Sequence, residues 1–260
     1  MGEVVPRRSE GTSPASPARW LAGRLAVVTG ASRGIGAATA AAVAAAGAHV
    51  VLAARDRAAL DGVAGRIKDA GGLATPWPTD VSNDAAVESL FAKVAEVGQA
   101  AGAGQVAALV CAAGVLTPAP FAETTSTMWD ETLGVNLTGT FLCCRAAFTA
   151  MAAAGEGRII TIGSLSGVYA TEKFPGLAAY NVSKFGVIGL TEAIAVEGKE
   201  HGISAVCLSP GAVDTEMLRR ANPALRPGLT PDDVAELIVA LLDSPLAPVS
   251  GANIPLFSNA

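Results

Sequence analysis

Short uninterrupted runs of apolar residues recur along the chain, each closed by glycine, proline or charge and followed by a helical pattern. The first is Leu25-Ala26-Val27-Val28, followed by glycines and then by the alanine-rich stretch Ala37 to Ala46. This pattern predicts a strand, a tight loop and a helix. Further strands are predicted at His49 to Ala54, Val106 to Cys111, Arg158 to Ile162 and Ser204 to Leu208. Their apolar residues are continuous rather than alternating, as expected when helices cover both faces of a parallel sheet. A strand near Leu73 to Thr79 contains Pro76 and Pro78, each of which removes a ladder donor. Helices are predicted at Arg57 to Ala70, Asn83 to Val97, Thr127 to Ala153, Leu177 to Glu200 and Pro231 to Leu242. In the last, Pro231 suits the first helical position after Thr230 as N-cap. Strands alternating with helices predict an α/β fold with a doubly wound parallel sheet.

The length of 260 residues is compatible with one such domain. Residues Met1 to about Arg19 are rich in Pro, Ser, Arg and Gly, too poor in apolar side chains to offset the entropy of ordering. Residues 1–20 are therefore expected to form a disordered tail, and residues 21–260 a single domain. With 51% hydrophobic residues the chain can bury a large core, yet no segment reads as an uninterrupted membrane span. A net charge of −5 argues against binding nucleic acid through its phosphates, which needs clustered Lys and Arg. A small-molecule partner is expected instead. Cys111, Cys143, Cys144 and Cys207 lie in apolar stretches without metal-ligand spacing, and His49 and His201 are far apart, so no metal site is expected. The cysteines read as buried reduced thiols. Asn136-Leu137-Thr138 and Asn181-Val182-Ser183 match the glycosylation pattern, but the first twenty residues contain no signal-peptide core, and a cytoplasmic location is expected.

Two clusters carry candidate chemistry. Thr29-Gly30-Ala31-Ser32-Arg33-Gly34-Ile35-Gly36 lies between the first strand and the first helix, where backbone amides and a helix N-terminus can meet a pyrophosphate. Tyr180 and Lys184 are four residues apart, one turn on the same helical face. A tyrosine with its ordinary pKa of about 10 is a poor acid-base catalyst at neutral pH, and a neighbouring ammonium is expected to lower that pKa.

The glycine-rich turn, Tyr180-Asn181-Val182-Ser183-Lys184, and their order and separation resemble the signatures of the short-chain dehydrogenase/reductase family. The resemblance runs from about Leu25 to about Pro255 and includes Asp80-Val81, Asn136, Ser164 and Pro210-Gly211. It implies a single-domain Rossmann-type fold and hydride transfer from a nicotinamide cofactor. By the same resemblance Tyr180 exchanges the proton, Lys184 also holds the nicotinamide ribose, Ser164 rather than Ser166 bonds the substrate oxygen, and Asn136 supports a water relay to the lysine. Gly30, Ser32, Arg33, Gly34, Ile35 and Gly36 would hold the pyrophosphate end, Asp80 and Val81 the adenine. Ala113, Gly114, Pro210, Gly211, Val213 and Thr215 would flank the rest of the cofactor. The stretch Met217 to Leu229 would form a mobile substrate lid, and the long fourth and fifth helices would pair copies into a dimer or tetramer. Apolar faces for that pairing are expected at Phe141 to Cys144 and Val187 to Leu190.

NADP is the expected cofactor. The second strand ends Leu52-Ala53-Ala54-Arg55, with no carboxylate at Ala54 for ribose hydroxyls, and Arg55 and Arg33 are placed to meet a phosphate. The expected substrate is a 3-oxoacyl thioester or similar ketone; a sugar, steroid or polyketide-like alcohol, or a silent NADP-sensing role, are the alternatives. Two departures stand out. Cys111-Ala112-Ala113-Gly114 replaces the family's usual Asn-Asn-Ala-Gly, removing an amide that often steadies the sheet. The gap from Ser164 to Tyr180, 16 positions, is longer than usual, with extra residues around Thr171-Glu172-Lys173-Phe174.

Overall fold

In a computed structural model, residues 20–257 are described. The predicted tail, residues 1–19, lies outside them. Trp20, placed in the tail by the sequence, belongs to the folded body: its ring is flanked by the guanidinium groups of Arg24 at 4.4 Å and Arg158 at 3.8 Å.

Seven parallel strands run in the order β3-β2-β1-β4-β5-β6-β7. They are β1 Leu25–Thr29, β2 His49–Ala54, β3 Leu73–Pro78, β4 Val106–Cys111, β5 Gly157–Ile162, β6 Ile203–Pro210 and β7 Asn253–Leu256. The helices are α1 Gly34–Ala45, α2 Arg57–Asp69, α3 Asp84–Ala101, α4 Ser126–Leu133, α5 Gly139–Ala154, α6 Ala178–Gly198, α7 Glu216–Ala221 and α8 Pro231–Asp243. Successive residues of each strand point to opposite faces. Ala26 and Val28 therefore pack with Val43, Leu60 and Ile238, whereas Leu25 and Val27 pack with Leu90, Met151 and Ile203. Two cores, one on each face, account for the continuous hydrophobic runs. β3 lies at the sheet edge, where missing amide donors at Pro76 and Pro78 leave no inner ladder broken.

α8 begins as the sequence predicts, with Thr230 and Asp233 forming a reciprocal capping box around Pro231. The predicted helix Thr127 to Ala153 is two α-helices joined without a break by a π turn, Gly134–Thr138, which contains Asn136. This stretch, Ser126–Ala154, is long and apolar enough to cross a membrane by length and composition, a property the sequence reading did not assign to it. In the fold its Leu142, Cys143, Cys144, Ala147 and Met151 pack into the sheet core. Neither β7 nor α7 was predicted; they have four and six residues.

The chain leaves the sheet in opposite directions after β1 and β4, which are neighbours. The crevice beyond the carboxyl ends of these two strands is where ligands bind in open sheets of this kind.

Candidate active site

At the end of β1 the chain turns through Gly30, at φ 65°, into α1. A Cβ at Gly30 would sit 2.7 Å from the backbone of Ala112, and one at Gly36 would sit 2.2 Å from the carbonyl oxygen of Gly30. Glycine lets the turn, the helix and the segment after β4 close on one another. Arg33, at the N-cap of α1, makes no capping hydrogen bond, and the first turn has no acidic side chain. No acidic side chain of the helix itself thus offsets the positive end of its dipole, which favours an anion there.

A cavity of about 680 Å³ lies there, lined by Gly30, Ser32, Arg33, Gly34, Ile35 and Gly36. Arg55, Asp80, Val81, Ala113, Gly114 and Thr215 complete the wall predicted for the cofactor. It shares Ile35, Ala112, Gly114, Leu116, Thr215 and Met217 with a second cavity of about 730 Å³, which holds Ser164, Tyr180, Lys184, Pro210, Gly211 and Val213. The residues present therefore fit an extended dinucleotide whose two ends would lie in joined cavities of ordinary ligand size.

Ser164 follows β5 and caps a short 3-10 turn, its Oγ accepting from the backbone N of Ser166 at 3.2 Å. Tyr180 and Lys184 rise from α6, whose Gly186 and neighbours press against the π turn: a Cβ at Gly186 would meet Leu137 at 2.7 Å. The half-buried Tyr180 phenol is pushed up in pKa by burial, while its hydrogen bond with Ser164 acts in the opposite direction. The net shift is therefore upward, against the downward one expected from the neighbouring lysine, because burial is the largest cause. The Lys184 ammonium lies 5.6 Å from the centre of the Tyr180 ring and donates to the carbonyl oxygen of Ile162 at 2.7 Å. Burial lowers the Lys184 pKa to about 8, against the opposing pull of the Cys207 and Cys111 thiols.

Asn136 lines neither cavity and has no exposed surface. Its Oδ1 accepts from the Val115 N at 2.8 Å, and its Nδ2 donates to the Val115 carbonyl at 3.0 Å and to Ser183 Oγ at 3.1 Å. It thereby ties the segment after β4 to the helix that carries Tyr180 and Lys184. Full burial also closes this asparagine to glycosylation. The Asp80 carboxylate accepts from both the N and Oγ of Ser82, at 3.0 and 2.7 Å, and these bonds hold its pKa low. Thr215 caps α7 by accepting from Leu218 N at 3.2 Å. The expected lid begins on α7 and is anchored at its far end, where Leu229 bonds back to Ala212 and Asp214.

Several contacts escaped sequence reasoning. Arg33 Nη1 donates to Glu216 Oε2 at 2.8 Å, across 183 residues. The Cys111 and Cys144 sulfurs are 3.8 Å apart where the family's asparagine is missing, and Ala113 N donates to Thr29 Oγ1 at 3.2 Å, linking the ends of β1 and β4. Among the described residues no cluster of metal-ligating side chains occurs.

Lys184 gives a stability prediction. Its folded pKa of about 8 lies below the unfolded value of 10.5, so between these values the unfolded chain binds more protons. Its contribution to stability must then rise with pH across that window, by on the order of 3 kcal/mol in total. Denaturant titrations from pH 7 to pH 10 should show a more positive slope of unfolding free energy in the wild type than in Lys184→Met; equal slopes would contradict the burial.

Similarity to known proteins agrees with this geometry. The short chain dehydrogenase family model matches residues 24–226. A cis-4-hydroxycyclohexanecarboxylate dehydrogenase from Sinomonas cyclohexanicum is 36% identical, over 89% of this chain and 94% of that protein. A 3-oxoacyl-[acyl-carrier-protein] reductase from Synechocystis sp. is 34% identical, over 87% of this chain and 92% of that protein. A crystal structure described as an NAD(P)-dependent gluconate 5-dehydrogenase from Beutenbergia cavernae, with NADP bound at low occupancy, is 35% identical. It superposes with a TM-score of 0.80 over 92% of this chain and 98% of that one. With both signatures converging on one pair of joined cavities, the chain belongs to the short-chain dehydrogenase family of oxidoreductases, which act on alcohols and ketones.

Proposed function

We propose that the protein is an NADP(H)-dependent enzyme that interconverts a ketone and a secondary alcohol, with Ser164, Tyr180 and Lys184 as its catalytic residues and Asn136 as their support. The observation that carries this reading is the meeting of Ser164, Tyr180 and Lys184 in a cavity continuous with the glycine-lined one. The cofactor, when bound, supplies or accepts hydride. Ser164 Oγ and the Tyr180 hydroxyl are the groups placed to bond a carbonyl oxygen. A phenol whose pKa is raised by burial stays protonated at neutral pH, which suits a donor to the far more basic alkoxide that forms on reduction. Lys184, mostly protonated below about pH 8, stabilises the phenolate left behind. Ketone reduction should therefore hold below about pH 8 and fall above it, a profile that steady-state rates from pH 6 to 10 would test.

The absence of a carboxylate at Ala54, and the presence of Arg33, Arg55 and Arg220 around the cofactor cavity, support NADP(H) over NAD(H). A 3-oxoacyl thioester remains the leading substrate type, in keeping with the cyanobacterial reductase among the relatives. NADPH consumption across a panel of ketones and 3-oxoacyl thioesters tests the whole reading; silence with every member would count against catalysis. Four free, buried cysteines suit the reducing cytoplasm, where we place the protein.

We also propose a homodimer or tetramer, on the two helices the sequence suggested but through a partly different set of residues. Leu142, Cys143, Cys144 and Val187 are buried in this chain's own core, whereas Phe141, Val182, Phe185 and Val196 are exposed on α5 and α6. Light scattering at micromolar concentration should give a multiple of 25.9 kDa; the mass of one chain would overturn the assignment.

A further inference from the structure

Beyond the reacting groups the wall of the 730 Å³ cavity is mostly apolar, with Ser166, Tyr169, Thr171, Glu172, Thr215 and Asn222 as its polar members. Leu116 comes from the segment after β4, Val168 and Phe174 from the segment between β5 and α6, and Leu218 and Leu225 from the α7 region. Among the described residues that line it, Lys184 is the only cation and Glu172 the only acidic side chain. Lys173, next to Glu172, does not line it. Its ammonium donates to the carbonyl oxygens of Leu165 and Val168, at 3.3 and 2.6 Å, and to Thr171 Oγ1 at 2.6 Å. Thr171 Oγ1 itself donates to Leu165 O at 2.5 Å and Val168 O at 3.0 Å. Ala170, the one described non-glycine residue with a positive φ, at 59°, turns the chain into this excursion. The extra residues thus close back on the segment after β5 and present Val168 and Phe174 to the cavity, while their cation is bound to main-chain oxygens.

We propose that this cavity selects uncharged carbonyl compounds with a hydrophobic body, and that the excursion from Tyr169 to Phe174, clasped by Lys173, is the wall that enforces the choice. The proposal rests on the ketone-alcohol reaction proposed above. A carboxylate in the cavity would lose water, face Glu172 and find no cation in the outer wall. To reach Lys184 it would have to occupy the floor beside the Tyr180 ring, where the reacting carbon belongs. A polyhydroxylated ketone would find few free polar partners, since Thr171 and Thr215 are already engaged in the protein's own hydrogen bonds, and would set its other hydroxyls against Leu116, Val168, Phe174, Leu218 and Leu225. Lys173 is a positioning residue here, because it acts through the wall it holds and touches no reacting atom.

The test uses two ketones that differ mainly in charge, methyl 5-oxo-5-phenylpentanoate and its free acid, with erythrulose as the polyol control and NADPH as reductant. The ester should exceed the acid in kcat/KM by about 100-fold or more, the scale expected for an unpaired buried carboxylate. Leu225→Arg, which adds a cation to the wall, should narrow that gap by about ten-fold. Lys173→Met should raise the KM for the ester by about ten-fold with kcat largely kept, and Lys173→Arg should restore it. A wild-type protein that reduces the acid or erythrulose within ten-fold of the ester overturns the proposal and leaves the reaction class standing. If no ketone is reduced but the ester, unlike the acid, raises the melting temperature of the NADPH-loaded protein, the selectivity stands and the redox reading falls. A protein that neither reduces nor binds the ester overturns both.

Discussion

Replacing Tyr180 by Phe should lower turnover by about 10² to 10⁴ while leaving the fold and cofactor binding intact, the usual contribution of one positioned general acid. The change removes a single oxygen and keeps the ring that packs beside Lys184. Burial raises the pKa of the phenol, so the group lost is a neutral donor within reach of Ser164. Ser164→Ala should also reduce turnover, because it removes the second group near the carbonyl oxygen. Ser166→Ala should reduce it far less: its backbone amide, unchanged by the mutation, is what donates to Ser164 Oγ. Melting curves and NADPH titrations separate a chemical loss from a folding one. Near-normal turnover in Tyr180→Phe, or an equal loss in Ser166→Ala, would contradict the assigned roles.

The layout of the sheet was legible because burial on both faces leaves an unmistakable mark: strands such as Ala26 to Val28 and Leu109 to Cys111 have no polar face to show. Where that mark is short or absent, prediction failed. β7 has four residues, one of them Pro255, and α7 has six, too few to display a period. The π turn through Asn136 was hidden for another reason. One wider turn shifts the hydrophobic stripe only slightly, and the run from Thr127 to Ala153 still reads as one helix. Trp20 was assigned to the tail by the polar composition before it, although stacking against Arg24 and Arg158 holds it to the domain.

The site divides similarly. Of the residues in the two local motifs, Gly30, Ser32 to Gly36, Tyr180 and Lys184 line the two cavities. Contacts made across long stretches of chain were beyond a sequence reading. Nothing near Arg33 announces Glu216, and nothing near Asn136 announces Val115 as its partner. The direction of the Tyr180 shift was misjudged because spacing reveals a neighbouring charge but not the extent of burial, which is the larger cause here. Conversely, the family's asparagine is replaced at Cys111, where stability or strand packing was expected to differ. The sheet end is instead joined by the thiol of Cys144 and by the bond from Ala113 to Thr29.

Cofactor choice should change with Arg55. This exposed arginine lines the cofactor cavity after β2, and a 2′-phosphate is the only group by which the two nicotinamide cofactors differ. Arg55→Ala should weaken NADPH binding by about ten-fold or more and leave NADH nearly unchanged, since one charge-assisted contact is lost. Arg33 brings a competitor the sequence did not show: its guanidinium already pairs with Glu216, which also meets Arg220. Magnitudes decide whether that matters. An exposed pair such as Arg33 with Glu216 is worth about 0 to 1 kcal/mol, whereas hydrogen bonds to a charged group contribute ~1.5 to 3 kcal/mol. A phosphate should therefore take Arg33 from Glu216 at small cost. Arg33→Ala should weaken NADPH as Arg55→Ala does, the double variant should approach indifference between the cofactors, and Glu216→Gln should tighten NADPH by no more than a few-fold. Ala54→Asp with Arg55→Ala should go further and favour NADH, because a carboxylate there accepts from ribose hydroxyls and repels the phosphate. Fluorescence titrations of both cofactors against these proteins provide the measurement. A wild type that binds NADH as tightly as NADPH, or an Arg55→Ala protein that loses both equally, would remove the arginines from cofactor selection.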